Sequence, residues 1–497
     1  MVDVSTYVPP GVYVQDISQD IVVPLAPGLT QNLLCIVAPA IGYQSVTENI
    51  PVFSLLATAL TNPGVVDGSL VLTTLTGTPL VEGTDYSVST AVVNSVTVTS
   101  ITRLPSNPLT ASPAGVTDGQ LIQVSYHFVD ANYYNPQLFT EYNSLASVYG
   151  PAFSSDPAAA DPVISPLTMG AKIAFENGAG AILAVAVATP GSPDSTTWRA
   201  AFAAAYGLLV TDHRVSVMVP IVPDSYINTG SGVVDFATDL REHCDAAAAN
   251  GYGREVLLGA ASSFDDSAYA YETIAQTTAN KRIVSIYPFR FNLYNPLTAQ
   301  FVEVGGKFAA AALGGRLVYN SVEQSLTRQA VASFDSLPAS VQQKMTTAFK
   351  NNLSANGVLV IETDRLDRLV VRHAVTTDPT ALNTREISLV RISDVLTQDI
   401  EVGLENSGLI GQPIDVTMAM RVKGALIGIL EQEVLNSVIV SYIQVLVSQQ
   451  QLPNGDPSVI ECQFAYQPAV PLNYIRVQFA LNLTTGALVD PALTTLS

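Results

Sequence analysis

At 497 residues the chain exceeds one ordinary hydrophobic core and divides into roughly two to four domains. Charged residues are only 13% of the total, and 22 basic against 42 acidic side chains leave a net charge of −20. That balance repels phosphate and excludes a dedicated nucleic-acid binder. A surface so poor in Lys and Arg suits a molecule covered by neighbours.

The asymmetry is sharpest early: residues 1–130 contain one basic residue, Arg103, against nine acidic ones. Cys35, Cys244 and Cys462 are far apart in apolar or helical contexts and read as reduced packing residues. No basic-then-apolar leader opens the chain, and its longest apolar runs, such as AGAILAVAVATP, fall well short of a bilayer span. Neither a signal peptide nor stable membrane insertion is expected.

Residues 1–24 read as an arm. Pro9 and Pro10 pre-set extended backbone and Gly11 permits a bend. Beyond them Val12 and Val14 point to one side, Tyr13 and Gln15 to the other. So short a strand cannot stand alone, because ordering each residue costs about 1–2 kcal/mol. It must join an existing sheet edge, either the chain's own or another's.

LLCIVAPAIG (33–42) reads as a buried strand, and residues 50–130 as an inserted β-rich module of sandwich or barrel type. From about 134 to 320 apolar strands alternate with helices. The strands are AILAVAVA (181–188), RVSVMVPIVP (214–223), EVLLGA and RIVSIYP, and the series closes on a helix over 296–315. That pattern predicts a mostly parallel, doubly wound sheet. Residues 355–497 change texture again. GVLVIETDRLDRLVVRHAVTTD suggests two strands, followed by helices over 386–405 and 417–435. SVIECQFAYQ and LNYIRVQFALNL follow as alternating strands, with Ile475, Val477, Phe479 and Leu481 on one face of the second.

The expected class is therefore α/β and α+β multidomain: an arm at 1–24, an α/β body at 25–49 and 131–354, a β-rich insert at 50–130, and an α+β domain at 355–497.

The chain lacks the motifs an α/β enzyme would carry: no GxGxxG after a strand, no GxxxxGK[ST], GxSxG, HExxH or CxxC. NGAGA (177–181) and NGYGRE (250–255) precede strands and read as helix ends. His127, His213, His243 and His373 show no ligand spacing. Asp224, at a strand's carboxyl end, is the one candidate for a ligand crevice, and Asp caps loops there more often than it catalyses. Arg365, Arg368, Arg372, Arg385 and Arg391 form a basic cluster in an acidic chain. They either pair internally with Asp364, Asp367 and Asp394 or face an acidic partner.

PPGVYVQDI (9–17), YNPQLFTEYNSLASVYGPAF (134–153), VRHAVTTD (371–378) with EISLVRISDVL (386–396), and AVPLNYIRVQFAL (469–481) occur in the order seen in contractile tail sheath proteins. The chain resembles that family of tailed phages and related injection machines. The resemblance implies exchanged termini, with Val12 to Gln15 and Ile475, Val477, Phe479 and Leu481 completing sheets in neighbouring copies. Pro9, Pro10, Gly11, Pro24, Pro27 and Gly28 would then delimit hinges. It further implies hexameric rings stacked around a tail tube, contact with baseplate and tail terminator proteins, and contraction that drives the tube through a cell envelope. Location in the virion tail after assembly in host cytoplasm follows, with no enzyme activity, cofactor or metal. The alternatives are a static tube or baseplate protein and, more remotely, an α/β hydrolase.

Overall fold

A computed structural model describes residues 32–473 and 475, apart from 55, 67, 94–95, 105–115, 131, 160, 191–192, 225–229, 261–267 and 450–457. The first strand, β1 (Leu33–Pro39), is buried along its whole length. Leu34, Ile36 and Ala38 enter the core on one face, and Leu33, Cys35 and Val37 enter a second core on the other. A strand covered on both faces cannot alternate with polar residues, which is why LLCIVAP reads as an unbroken apolar run.

The β-rich unit follows at once. Strands β2 (Gln44–Val52), β3 (Thr58–Ala59), β4 (Val71–Thr74), β5 (Tyr86–Val93), β6 (Val96–Arg103) and β7 (Gln120–Phe128) form two antiparallel sheets, ordered β2-β7-β4 and β3-β6-β5. Their shared core includes Ile50, Leu72, Ile101, Ile122, Val124 and Tyr126. The unit starts at Gln44, earlier than the change of texture near residue 50 suggests, because β2 pairs with β7 along its whole length.

The chain returns through β8 (Gln137–Phe139) and a helix at Tyr142–Tyr149 to the body. There β9 (Ile182–Val187), β10 (Val215–Pro220), β11 (Glu255–Gly259) and β12 (Ile283–Tyr287) alternate with helices at Pro166–Glu176, Ser195–Gly207, Gly230–Ala249 and Ala268–Thr278. Ser165 caps the first of these helices by accepting from the Thr168 N–H, and Asn177 ends it.

The expected helix over 296–315 is corrected. Strands β13 (Arg290–Asn295) and β14 (Gln300–Gly305) form a hairpin, and the helix occupies only Lys307–Tyr319. Val302 and Val304 turn toward the core while Phe301 and Glu303 face solvent, the period-two pattern of a strand. The helix itself is apolar nearly all round and buried. A Cβ on Gly315 would lie 2.3 Å from the Ala174 carbonyl, so glycine permits this close helix crossing.

Two further strands, β15 (Val358–Thr363) and β16 (Leu369–Val371), belong to the body sheet rather than to a separate C-terminal unit. The sheet order is β16-β15-β12-β11-β10-β1-β9-β8, parallel inside with an antiparallel strand at each edge. Helices at Ile387–Asn406 and Met418–Leu435 then pack on a last pair, β17 (Ile439–Gln449) and β18 (Ile460–Pro468). Their core contains Leu396, Ile400, Leu426, Leu430, Val445 and Phe464.

Candidate functional site

The carboxyl-end crevice of the body sheet is filled. Lys307 Nζ donates to Asp224 Oδ1 at 2.7 Å, and the Lys307 N–H donates to the Ala260 carbonyl. The Gly306 carbonyl presses so closely on Gly259 that a Cβ there would lie 2.2 Å away. Asp224 is thus a partner of the helix start in the place where α/β folds bind ligands. The histidines lie apart. His127 stacks on Tyr43, His213 lies near Tyr252, and His373 bonds Glu386 at 2.6 Å. Burial lowers the pKa of His243 to about 4, keeping it neutral. Among the described residues no cluster of three potential metal ligands forms.

The C-terminal pair offers a different kind of site. β17 and β18 run antiparallel from Ile439↔Pro468 to Gln449↔Ile460, with irregularities at 439/441 and 443/446. Among the described residues neither outer edge carries another strand. One face rests on the two helices through Val445 and Phe464. On β17, Val440, Ile443 and Leu446 are exposed, as are Val470, Leu472 and Ile475 beyond β18. A two-stranded sheet is marginal alone and its open edges are templates for further strands.

Val12 to Gln15, Val477, Phe479, Leu481 and all six hinge positions lie outside the described residues. Ile475 is described and is 77% exposed. Of the arginines, Arg365 is exposed between β15 and β16. Arg368 pairs with Asp364 at 2.7 Å and Arg372 with Glu362 at 3.0 Å. Burial would raise the Glu362 pKa, but Lys350 and Arg372 outweigh it and hold the carboxyl below its usual range. Arg385 lies 3.9 Å from Glu386, and Arg391 is buried. Burial depresses the Arg391 pKa. Arg365 and Arg368 therefore face solvent, whereas Arg372 and Arg391 turn inward.

The inward charge concentrates where helix 387–406 crosses the amino ends of the body strands. Arg282, just before β12, forms a bidentate pair with Asp394, and both side chains are largely buried. Burial alone would lower the Arg282 pKa, yet the charge and hydrogen bonds of Asp394 hold it above its ordinary value. A Cβ on Gly253 would lie 2.4 Å from the Asp394 carboxyl carbon, and one on Gly251 2.7 Å from a Glu401 oxygen. NGYGRE is thus bare backbone against which the helix's carboxylates fit, and not a phosphate cradle.

No protein-family model matches the chain. The tail sheath protein of Mycobacterium phage Bxz1 is 32% identical over 372 residues, covering 75% of this chain and 60% of that protein. The chain belongs to the tail sheath protein family. It spans about 60% of the length of that curated relative. Membership places it in a family of structural sheath proteins. Its fold is similar to the anti-feeding prophage helical sheath in the contracted state, with a TM-score of 0.53 and 12% identity over 96% of this chain and 100% of that one. A chain of the contracted anti-feeding prophage baseplate gives a TM-score of 0.54 at 15% identity, over 71% and 90% respectively.

The feature of this sheath-family chain that the sequence hid is Glu255. It is buried among Asp394 and Arg391 of helix 387–406, Arg282 and Cys244. Burial pushes its pKa up to about 8, the charge of Asp394 adds to the rise, and the two arginines pull back. Glu255 is thus neutral in the fold where the unfolded chain ionises. Its contribution to stability is full below about pH 4.5 and is lost as pH rises toward 8. Stability should fall by on the order of 1 kcal/mol per pH unit across that window. Glu255→Gln should flatten the dependence, read from urea midpoints at several pH values. An unchanged slope would refute the assignment.

Proposed function

We propose that the chain is the repeating subunit of a contractile sheath, polymerising as stacked hexameric rings around a tail tube in the virion. It would contract against a baseplate to drive that tube through a cell envelope, with a terminator protein closing the far end. The observation that carries the reading is the β17–β18 pair, whose edges no other described strand covers, with apolar side chains exposed beside it, in a member of the sheath family. A neighbour's Val12 to Gln15, or its strand around Ile475 to Leu481, would supply the missing backbone partners.

Strand exchange suits a lattice that must change shape without separating. The chain would remain joined to its neighbours through hinges at Pro9 to Gly11 and Pro24 to Gly28 while ring contacts switch between discrete packings. A gain of only about 1 kcal/mol per copy, the size of one hydrogen bond, gives roughly 100 kcal/mol over a hundred copies. No nucleotide is required.

Electron microscopy of the purified chain at rising salt tests this. Tubular polymers are expected, with a polymerisation threshold that moves with ionic strength far more than the melting temperature does. The excess of acidic residues repels between copies, and of the basic cluster only Arg365 and Arg368 stand exposed to offset it. Monodisperse particles at every salt concentration would overturn the reading.

A further inference from the structure

Two asparagines stand where the described chain meets its terminal segments, one bonded to the cap and one to the second turn of helix 387–406. Asn32, immediately before β1, donates from Nδ2 to the Val318 carbonyl at 2.9 Å. Its Oδ1 accepts from Ser216 Oγ at 2.8 Å and from Arg391 Nη2 at 3.4 Å. Asn473, beyond β18, donates from Nδ2 to Glu386 Oε1 at 3.0 Å, the same oxygen that meets His373 Nε2. Glu386 is the residue that opens the helix, and its side chain is wholly buried.

A second observation marks the same place. Glu386 Oε2, Ser388 Oγ, Arg391 Nη1 and Asn473 Oδ1 are buried and have no hydrogen-bond partner among the described residues. Unpaired buried polar atoms are uncommon in a native fold and costly in a purely structural corner. Here they gather along one and a half turns of a helix, between two chain exits.

We propose that Asn32 and Asn473 are positioning residues that fix the exits of both terminal segments against this one helix. Displacement of either segment is then transmitted through residues 386–391 to the other. In a lattice joined by exchanged ends, a pull received at one end would reach the other through a rigid helix instead of being lost in a loop. That consequence rests on the exchange reading; the anchoring itself does not.

Hydrogen–deuterium exchange on the 497-residue chain below its polymerisation threshold is the test. Asn473→Ala should raise exchange about fivefold at 386–391 and also at 32–35, the opening of β1, to which Asn473 makes no hydrogen bond among the described residues. Asn32→Ala should raise exchange at 386–391 in return, and Asn473→Gln, which keeps the amide, should restore most of the protection. An Asn473→Ala effect confined to 372–375 and 386–389 would overturn the proposal, as would no effect. The measurement needs no polymer, so failure of the chain to polymerise and failure of the anchor are separate results.

Discussion

Removal of residues 1–20 should leave a folded chain that no longer polymerises. The body core is built from residue 33 onward: β1 lies between β9 and β10, and its side chains fill two cores. A strand such as Val12 to Gln15 adds a few backbone hydrogen bonds at about 1 kcal/mol each to whatever edge it joins. If that edge belongs to a neighbour, the loss falls on every subunit contact and leaves the isolated fold untouched. The polymerisation threshold should then rise by on the order of a thousandfold, for about 4 kcal/mol per contact. The melting temperature of the monomer should move by no more than about a degree. Size-exclusion chromatography, light scattering and a melting curve on one preparation separate the outcomes. A chain that still polymerises, or one that melts several degrees lower, would mean that the arm pairs within its own subunit.

The body was legible in the sequence because its signal is redundant. β9, β10, β11 and β12 are short, mostly apolar runs separated by helices, and the structure puts them with β1 in one parallel sheet. The sheet edge at the C-terminus was not. In β17 the sequence IVSYIQVLVSQ carries two irregularities, with Gln444 at φ 58°, so its inward residues do not recur at every second position. Val440, Ile443 and Leu446 face solvent, which further blurs the pattern. The sequence reading accordingly assigns no element between the helix over 417–435 and SVIECQFAYQ. The hairpin at 290–305 failed for a related reason: Gly305 and Gly306 adjoin the Ala-rich run, and helix propensity was extended upstream into period-two residues. Arg391 and Asp394 sit three apart on a helix and suggest a local pair. The structure instead sends Asp394 to Arg282 and Arg391 to Asn32, partners that no local spacing could indicate.

That substitution of a long-range partner for a local one gives the largest effect expected on folding. Asp394→Ala leaves the Arg282 guanidinium buried beneath helix 387–406 without its counter-charge, and should cost about 3–5 kcal/mol of stability. Breaking the solvent-screened Arg368–Asp364 pair by Arg368→Ala should leave the urea midpoint nearly unchanged. Glu255 makes the loss depend on pH. In the wild type the charge of Asp394 helps keep Glu255 neutral. Once that charge is gone, Glu255 can ionise and answer Arg282, so Asp394→Ala should be less damaging at pH 8 than at pH 5. Adding Glu255→Gln removes the substitute anion, and the double variant should then be less stable than the two single losses combined. Urea denaturation of the four chains at both pH values closes the cycle. Strict additivity would show that Glu255 does not answer Arg282, and a cost below about 1 kcal/mol for Asp394→Ala would show that the Arg282–Asp394 pair does not hold the helix to the body.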